Sequence, residues 1–106
     1  MIHGERFTQR ASLWRWTTVS GARLIFVRFV DPVAEEIAVL AAMRRLESGR
    51  SRGWGSVRVT ARIGDSEWQS SIFPGNEASW LLPIKVEVRK AEGIAEGDDV
   101  EVTIFV

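Results

Sequence analysis

The sequence predicts a mainly β protein, a small barrel of about six to seven strands covered by one longer and one shorter helix. Residues 56–63 alternate between apolar and polar side chains, and Gly64-Asp65 then leads into a return strand, as in a β-hairpin. Residues 23–30 form an apolar strand that ends at a helix start. Residues 80–106 have the order short strand, helix, Gly-Asp turn and alternating strand.

The first strand, over residues 7–16, contains two apolar sets that are out of phase. Leu13 shares its parity with Phe7, whereas Trp14 and Trp16 have the opposite parity. A strand with a period of two residues cannot bury both sets on one face. A β-bulge near Ser12-Leu13 would reconcile the two sets.

The second strand, over residues 23–30, is apolar on both parities except at Arg28. We expect it to be covered on both faces.

The longer helix is predicted at about residues 32–47, with Asp31 as its N-cap and Pro32 at its first position. Its expected core side consists of Val33, Ile37, Leu40 and either Met43 or Leu46, although Arg44 lies within this apolar arc.

The shorter helix is predicted at about residues 84–92. The alternation of Ile84, Val86 and Val88 is also typical of a strand. Pro83 before the segment and Gly93 after it favour a helix.

Length and composition indicate one soluble domain over residues 1–106. The chain has no cysteine, which excludes disulfides and thiolate metal sites. No apolar run approaches the roughly 18 residues of a membrane helix, and the N-terminus has no signal-peptide pattern. We expect a cytoplasmic protein that does not contact a membrane and is a monomer or a weak homodimer.

The net charge is zero but unevenly distributed. Residues 1–62 carry eleven arginines and five acidic residues, whereas residues 63–106 carry three basic and nine acidic residues. The two halves either neutralise each other across the fold or form a basic face for an anionic partner.

The candidate binding residues are tryptophans and arginines. Five tryptophans in so short a chain either fill a small core or line a ligand pocket in the barrel mouth. Arg50 and Arg52 lie close in sequence to Trp54. This segment is either an ordinary solvated loop or a site for an anionic ligand such as a phosphate backbone. The predicted ligand-binding set is Trp14, Trp16, Arg28, Arg52, Trp54 and Trp68.

No constellation for catalysis or metal binding is recognisable. His3 is the one histidine and lies near the terminus, and Ser70 and Ser71 have no partner base in the sequence. Asp98 and Asp99 follow Gly97 in a pattern typical of a turn. We therefore predict a protein that is not an enzyme and that carries neither a cofactor nor a metal.

Two resemblances bear on the fold. The segment from Leu82-Pro83 to Val102 is similar to the strand, helix, Gly-Asp and strand unit of the swapped-hairpin barrels AbrB and MazE, which bind DNA. A second resemblance covers almost the whole chain and depends on six segments: Leu13-Trp14-Arg15-Trp16, Arg52-Gly53-Trp54-Gly55-Ser56-Val57, Ser71-Ile72-Phe73-Pro74, Leu82-Pro83, Val88-Arg89-Lys90-Ala91 and Gly97-Asp98. In these segments the chain resembles a bacterial family of small double-split β-barrel domains of unknown function, sometimes fused to segments of the bacteriocin-protection type (YdeI/OmpD-associated).

These observations predict a non-catalytic binding module that captures a small molecule or peptide in a barrel mouth lined by tryptophan and arginine. Two alternatives stay open. One is a nucleic-acid-binding barrel, which the AbrB resemblance implies. The other is a protein-interaction or structural domain, with Phe105 on the outer face of the last strand as a contact point.

Overall fold

The computed structural model describes residues 5–48 and 55–106. Within these residues a tight turn at Asn76–Ala78 precedes the sixth strand. The helices and strands are β1 (Arg6–Ser12), β2 (Trp14–Thr17), β3 (Arg23–Phe29), α1 (Val33–Ser48), β4 (Val57–Ile63), β5 (Ser66–Pro74), β6 (Trp80–Pro83), α2 (Val86–Glu92) and β7 (Asp99–Phe105). The predicted mainly β class, with one longer and one shorter helix, is confirmed. Neither of these helices is long and apolar enough to cross a bilayer.

The strands form one antiparallel sheet in the order β1-β7-β4-β5-β6-β3-β2, curled into a half-barrel. The hairpin from β4 to β5 pairs Ile63 with Ser66 across the two-residue turn predicted from the sequence. Gly64 in this turn has a φ of 56°, which a type II′ turn requires at its first central position.

The core lies on the inner side of the curl, between the sheet and α1. Along each strand every second side chain points into it, as the period of two predicts. The largest fully buried side chains are Leu13, Val27, Phe29, Ile37, Ile72, Leu82, Val102 and Ile104. Burial of each such side chain contributes about 1.5–3 kcal/mol to folding.

The two edge strands, β1 and β2, are consecutive in the chain and meet at Leu13. The Leu13 amide donates to the carbonyl oxygen of Asp98 at 2.9 Å, and the Gly97 amide donates to the Leu13 carbonyl oxygen at 2.7 Å. These bonds continue the pairing of β1 with β7, after which the chain pairs with β3 as β2. Leu13 is therefore the point at which one long strand changes partners and joins the two edges of the curled sheet.

The Gln9 side chain adds a second connection between β1 and β3. Its Nε2 donates to the carbonyl oxygen of Arg28 at 2.9 Å, and its Oε1 accepts from the amide of Val30 at 3.0 Å. The amide group thus takes the place of a neighbouring backbone and satisfies two groups at the end of β3.

The predicted β-bulge near Leu13 is wrong. The long strand changes its partner at that residue, but the parity of the chain continues unchanged from Phe7 through Leu13. The side chains of Trp14 and Trp16 therefore lie on the face of the sheet opposite the core. The two apolar sets of this strand cover two different faces.

The predicted core side of α1 is confirmed at Ile37, which is buried, and at Val33 and Leu40, which pack against the core. It is wrong at its last position, because Met43 and Leu46 are both exposed, and Ala34 and Ala41 are buried in addition. Arg44 lies on the buried side, where its Nη2 donates to the carbonyl oxygen of Val106 at 2.9 Å. Small side chains let the helix approach the sheet closely, and the long arginine reaches past them to a backbone acceptor.

The second helix, α2, begins two residues later than predicted. Pro83 is the last residue of β6, and the Ile84 amide donates to the carbonyl oxygen of Ile25 at 2.8 Å, which extends the strand pairing. The helix ends where the sequence predicts, at Gly93, whose left-handed backbone lets its amide cap the last turn.

Candidate ligand-binding face

The outer side of β2 and β3 carries a cluster of two aromatic rings and a guanidinium. The strand register places Trp14 directly opposite Phe26. Their ring centroids are 3.9 Å apart, at an interplanar angle of 55°. The Cζ atom of Arg28 lies 4.6 Å from the centroid of the Trp14 ring. Trp14 thus contacts an aromatic ring and a cation on the same face, and a cation over an indole is a favourable arrangement.

The guanidinium of Arg28 is incompletely satisfied. Within the part of the chain that the structure describes, its Nε atom is buried and has no hydrogen-bond partner. A buried donor without an acceptor costs about 1–3 kcal/mol, and more when the group is charged. A guanidinium binds a carboxylate well through its other N–H donors, whereas the buried Nε has no surface that an incoming ligand could contact.

Further apolar side chains lie next to this cluster, on β2 and β3 and on β6. Trp16 lies opposite Leu24 in the register, and 56% of Trp16 and 44% of Leu24 are exposed. On the other side of β3, Leu81 lies opposite Arg28 and Pro83 opposite Phe26, both half-buried. We call this surface the aromatic face; its residues are Trp14, Trp16, Leu24, Phe26, Arg28, Leu81 and Pro83.

The backbone of the aromatic face is held in place from the core side. Gln9 binds the carbonyl oxygen of Arg28 from inside the curl, while the Arg28 side chain lies outside. Within β2, Arg15 forms an ion pair with Glu96 at 3.7 Å. These two contacts fix the backbones of β3 and β2. The residues of the aromatic face lie on these strands and on β6, and strands position side chains more accurately than loops do.

A family model described as a domain of unknown function (DUF1905) matches residues 10–104. The chain belongs to this family. The match begins within β1 and ends within β7, so it contains the whole aromatic face. No curated protein matches the sequence.

The other predicted site residues of the DUF1905 domain do not join this face. Trp68 lies on the inward side of β5, is 8% exposed and belongs to the core. Arg52 and Trp54 fall outside the described residues. Of the predicted set, the structure thus brings together Trp14, Trp16 and Arg28, and it places them on the outside of the sheet.

Four residues of the aromatic face were absent from the predicted site: Leu24, Phe26, Leu81 and Pro83. The available signal was the second apolar parity of residues 23–30, which predicted a cover on both faces. On the outer face that cover is Trp14 itself, which lies over Phe26. The outward apolar residues of β2, Trp14 and Trp16, therefore lie beside the outward apolar residues of β3, Phe26 and Leu24.

The acidic turn before β7 has structural roles in the DUF1905 domain, as its sequence indicates. The Oδ2 atom of Asp98 accepts from the Ala95 amide at 2.9 Å, and Oδ1 of Asp99 accepts from the Ser12 hydroxyl at 2.5 Å. No three His, Cys, Asp or Glu side chains in residues 5–48 and 55–106 are grouped so that they could hold a metal ion.

Proposed function

We propose that this domain is a non-catalytic binding module that captures an extended peptide on its aromatic face. The observation that carries the proposal is the pair of exposed apolar side chains, Trp16 and Leu24, beside the half-buried Trp14 and Arg28 on one face of the sheet. Exposed indoles next to an arginine are the side chains that most often dominate binding energy at peptide and protein interfaces.

The shape of the surface favours a peptide over a small molecule. The aromatic face lies on the outside of three neighbouring strands, β2, β3 and β6, so it is open along its length. Small-molecule sites enclose most of their ligand, whereas an extended peptide needs only a surface with spaced contacts. The expected ligand has apolar side chains for Trp16 and Leu24 and a carboxylate for Arg28.

The chemistry of the surface supports binding without catalysis. Arg28 is the one ionisable residue among the seven that define the aromatic face, and a guanidinium supplies hydrogen-bond donors but no acceptor. These seven residues therefore supply no general acid or base and no nucleophile.

The charge pattern favours a peptide over a nucleic acid. On the outer side of the sheet, Arg10 lies opposite Glu101 and Arg62 lies opposite Glu67 in the register. These acidic neighbours weaken the attraction of a phosphate backbone, which supplies most of the affinity for nucleic acids.

The test is a peptide selection followed by titration of the selected sequence. A displayed peptide library is panned on the domain, and the affinity of a labelled winning peptide is measured by fluorescence anisotropy. We expect Trp16→Ala and Arg28→Gln each to weaken binding by about tenfold or more, as for interface hot spots. Because Trp16 is 56% exposed, its variant should keep the melting temperature of the parent.

Leu46→Ala on α1 is the matched control, since Leu46 is 83% exposed and lies outside the aromatic face. Its affinity for the peptide should equal that of the parent. Selection of peptides that bind Trp16→Ala and Arg28→Gln as tightly as the parent would exclude the aromatic face as the binding surface. A library from which no peptide is enriched would count against peptide binding as such.

A further inference from the structure

A groove between α1 and the start of β1 lies away from the aromatic face. Its volume is about 570 Å³, which is within the range of small-ligand sites. The lining residues are Glu5, Phe7, Pro32, Glu35, Glu36, Val39, Leu40 and Met43.

The floor of the groove is apolar because α1 leaves part of its apolar side chains outside the core. The helix directs Ala34, Ile37 and Ala41 to the core, which leaves Val39 and Met43 more than half exposed on the neighbouring side. Exposed apolar side chains that line a concavity are typical of binding sites, whereas isolated ones on a convex surface are ordinary.

The rim of the groove is acidic. Glu5 precedes β1, and Glu35 and Glu36 lie in the first turn of α1; all three are exposed. Over the described residues, the lining contains three carboxylates and no basic residue. This distribution is complementary to a ligand that combines an apolar body with a positive charge.

We propose that this groove binds a small organic cation, an ammonium or amidinium group attached to an apolar body. The apolar body lies against Phe7, Val39 and Met43, and the cationic group lies at the rim near the carboxylates. The proposal does not depend on the peptide site, because the groove and the aromatic face share no residue.

The length of the groove favours a small ligand over a helix or a second copy of this chain. The lining ends at Met43, although the exposed apolar residues of α1 continue to Leu46. An interface with another helix would use the exposed apolar residues as far as Leu46, whereas the lining of the concavity stops at Met43.

The test compares three probes with the same apolar body and different charge: 4-tert-butylbenzylammonium, 4-tert-butylbenzyl alcohol and 4-tert-butylbenzoate. Binding is followed by proton–nitrogen correlation NMR of the intact domain. We expect the cation to bind most tightly and the anion least, with saturable shifts confined to the groove residues. The double variant Glu35→Gln/Glu36→Gln should weaken binding of the cation by about threefold to tenfold, because exposed ion pairs contribute modestly.

Glu47→Gln is the matched control, because Glu47 is an exposed carboxylate on the same helix but outside the groove. It should leave the affinity for the cation unchanged, and the Glu35/Glu36 variant should leave the affinity for a selected peptide unchanged. Equal binding of all three probes, shifts outside the groove, or no saturation at millimolar concentration would overturn the proposal. So would concentration-dependent dimerisation that moves the Val39 and Met43 signals without any probe.

Discussion

Replacement of Leu13 by alanine is expected to lower the free energy of unfolding by about 3 kcal/mol, within the range for a fully buried leucine. The Leu13 side chain is 1% exposed and belongs to the core. Its backbone also bonds to Gly97 and Asp98 at the point where the long first strand changes partners from β7 to β3. A cavity at this position loosens both edges of the sheet, and chemical denaturation followed by circular dichroism measures the loss.

Leu24→Ala is the matched control for this experiment. Leu24 is 44% exposed on the outer side of β3, so its truncation should cost less than about 1 kcal/mol. Equal losses for the two variants would show that Leu13 does not occupy the buried junction that the structure gives it.

The second large effect is expected for Gln9→Leu, which should lower the free energy of unfolding by about 2 kcal/mol. The substitution keeps most of the side-chain volume but leaves the Arg28 carbonyl oxygen and the Val30 amide without their partner. The same change should weaken binding of a selected peptide, because Gln9 holds the backbone from which the Arg28 side chain projects. Denaturation and anisotropy measure the two effects on one variant.

Gln69→Leu serves as the control for Gln9→Leu. The Nε2 atom of Gln69 donates to the hydroxyl oxygen of Thr60 at 2.9 Å, and both groups belong to side chains. Its loss should cost less than about 1 kcal/mol and leave peptide binding intact. If Gln9→Leu is as stable as Gln69→Leu, the side chain of Gln9 does not connect β1 to β3.

Local signals predicted most of the elements in this fold. The hairpin at Gly64 and the end of α2 at Gly93 follow from backbone conformations that glycine adopts easily, and both occur where predicted. The alternation of Val100, Val102 and Ile104 likewise predicted an inward face of β7, which is buried. Such features depend on neighbouring residues and can be derived from sequence.

Features that depend on distant residues were predicted less well. Helix periodicity favours Met43 or Leu46 for the core, whereas in the structure Arg44 takes the inward position next to Ala41 and donates to the distant Val106 carbonyl oxygen. The start of α2 moved because the Ile84 amide bonds to Ile25 of another strand. In both cases tertiary contacts outweigh local preference.

For the candidate site, residue type predicts which side chains can bind a ligand, but the sequence does not show on which side of the sheet each of them lies. Residue type alone predicts Trp14, Trp16 and Arg28 as binding residues, because indoles and guanidinium groups are common in binding surfaces, and in the structure they lie on one face. Trp68 satisfies the same criterion but fills the core. The pairing of β2 with β3 and of β5 with β4 distinguishes the outward indoles from the inward one, and register is set by pairing across the sheet.

The indole N–H signals of the tryptophans give the most direct test of the peptide-binding face. A selected peptide is titrated into the domain, and these signals are followed by proton–nitrogen correlation NMR. Binding on the aromatic face predicts that the Trp14 and Trp16 signals shift and saturate with the peptide, while those of the buried Trp68 and Trp80 stay in place. Shifts at Trp68 and Trp80 with none at Trp14 and Trp16 would contradict binding on this face.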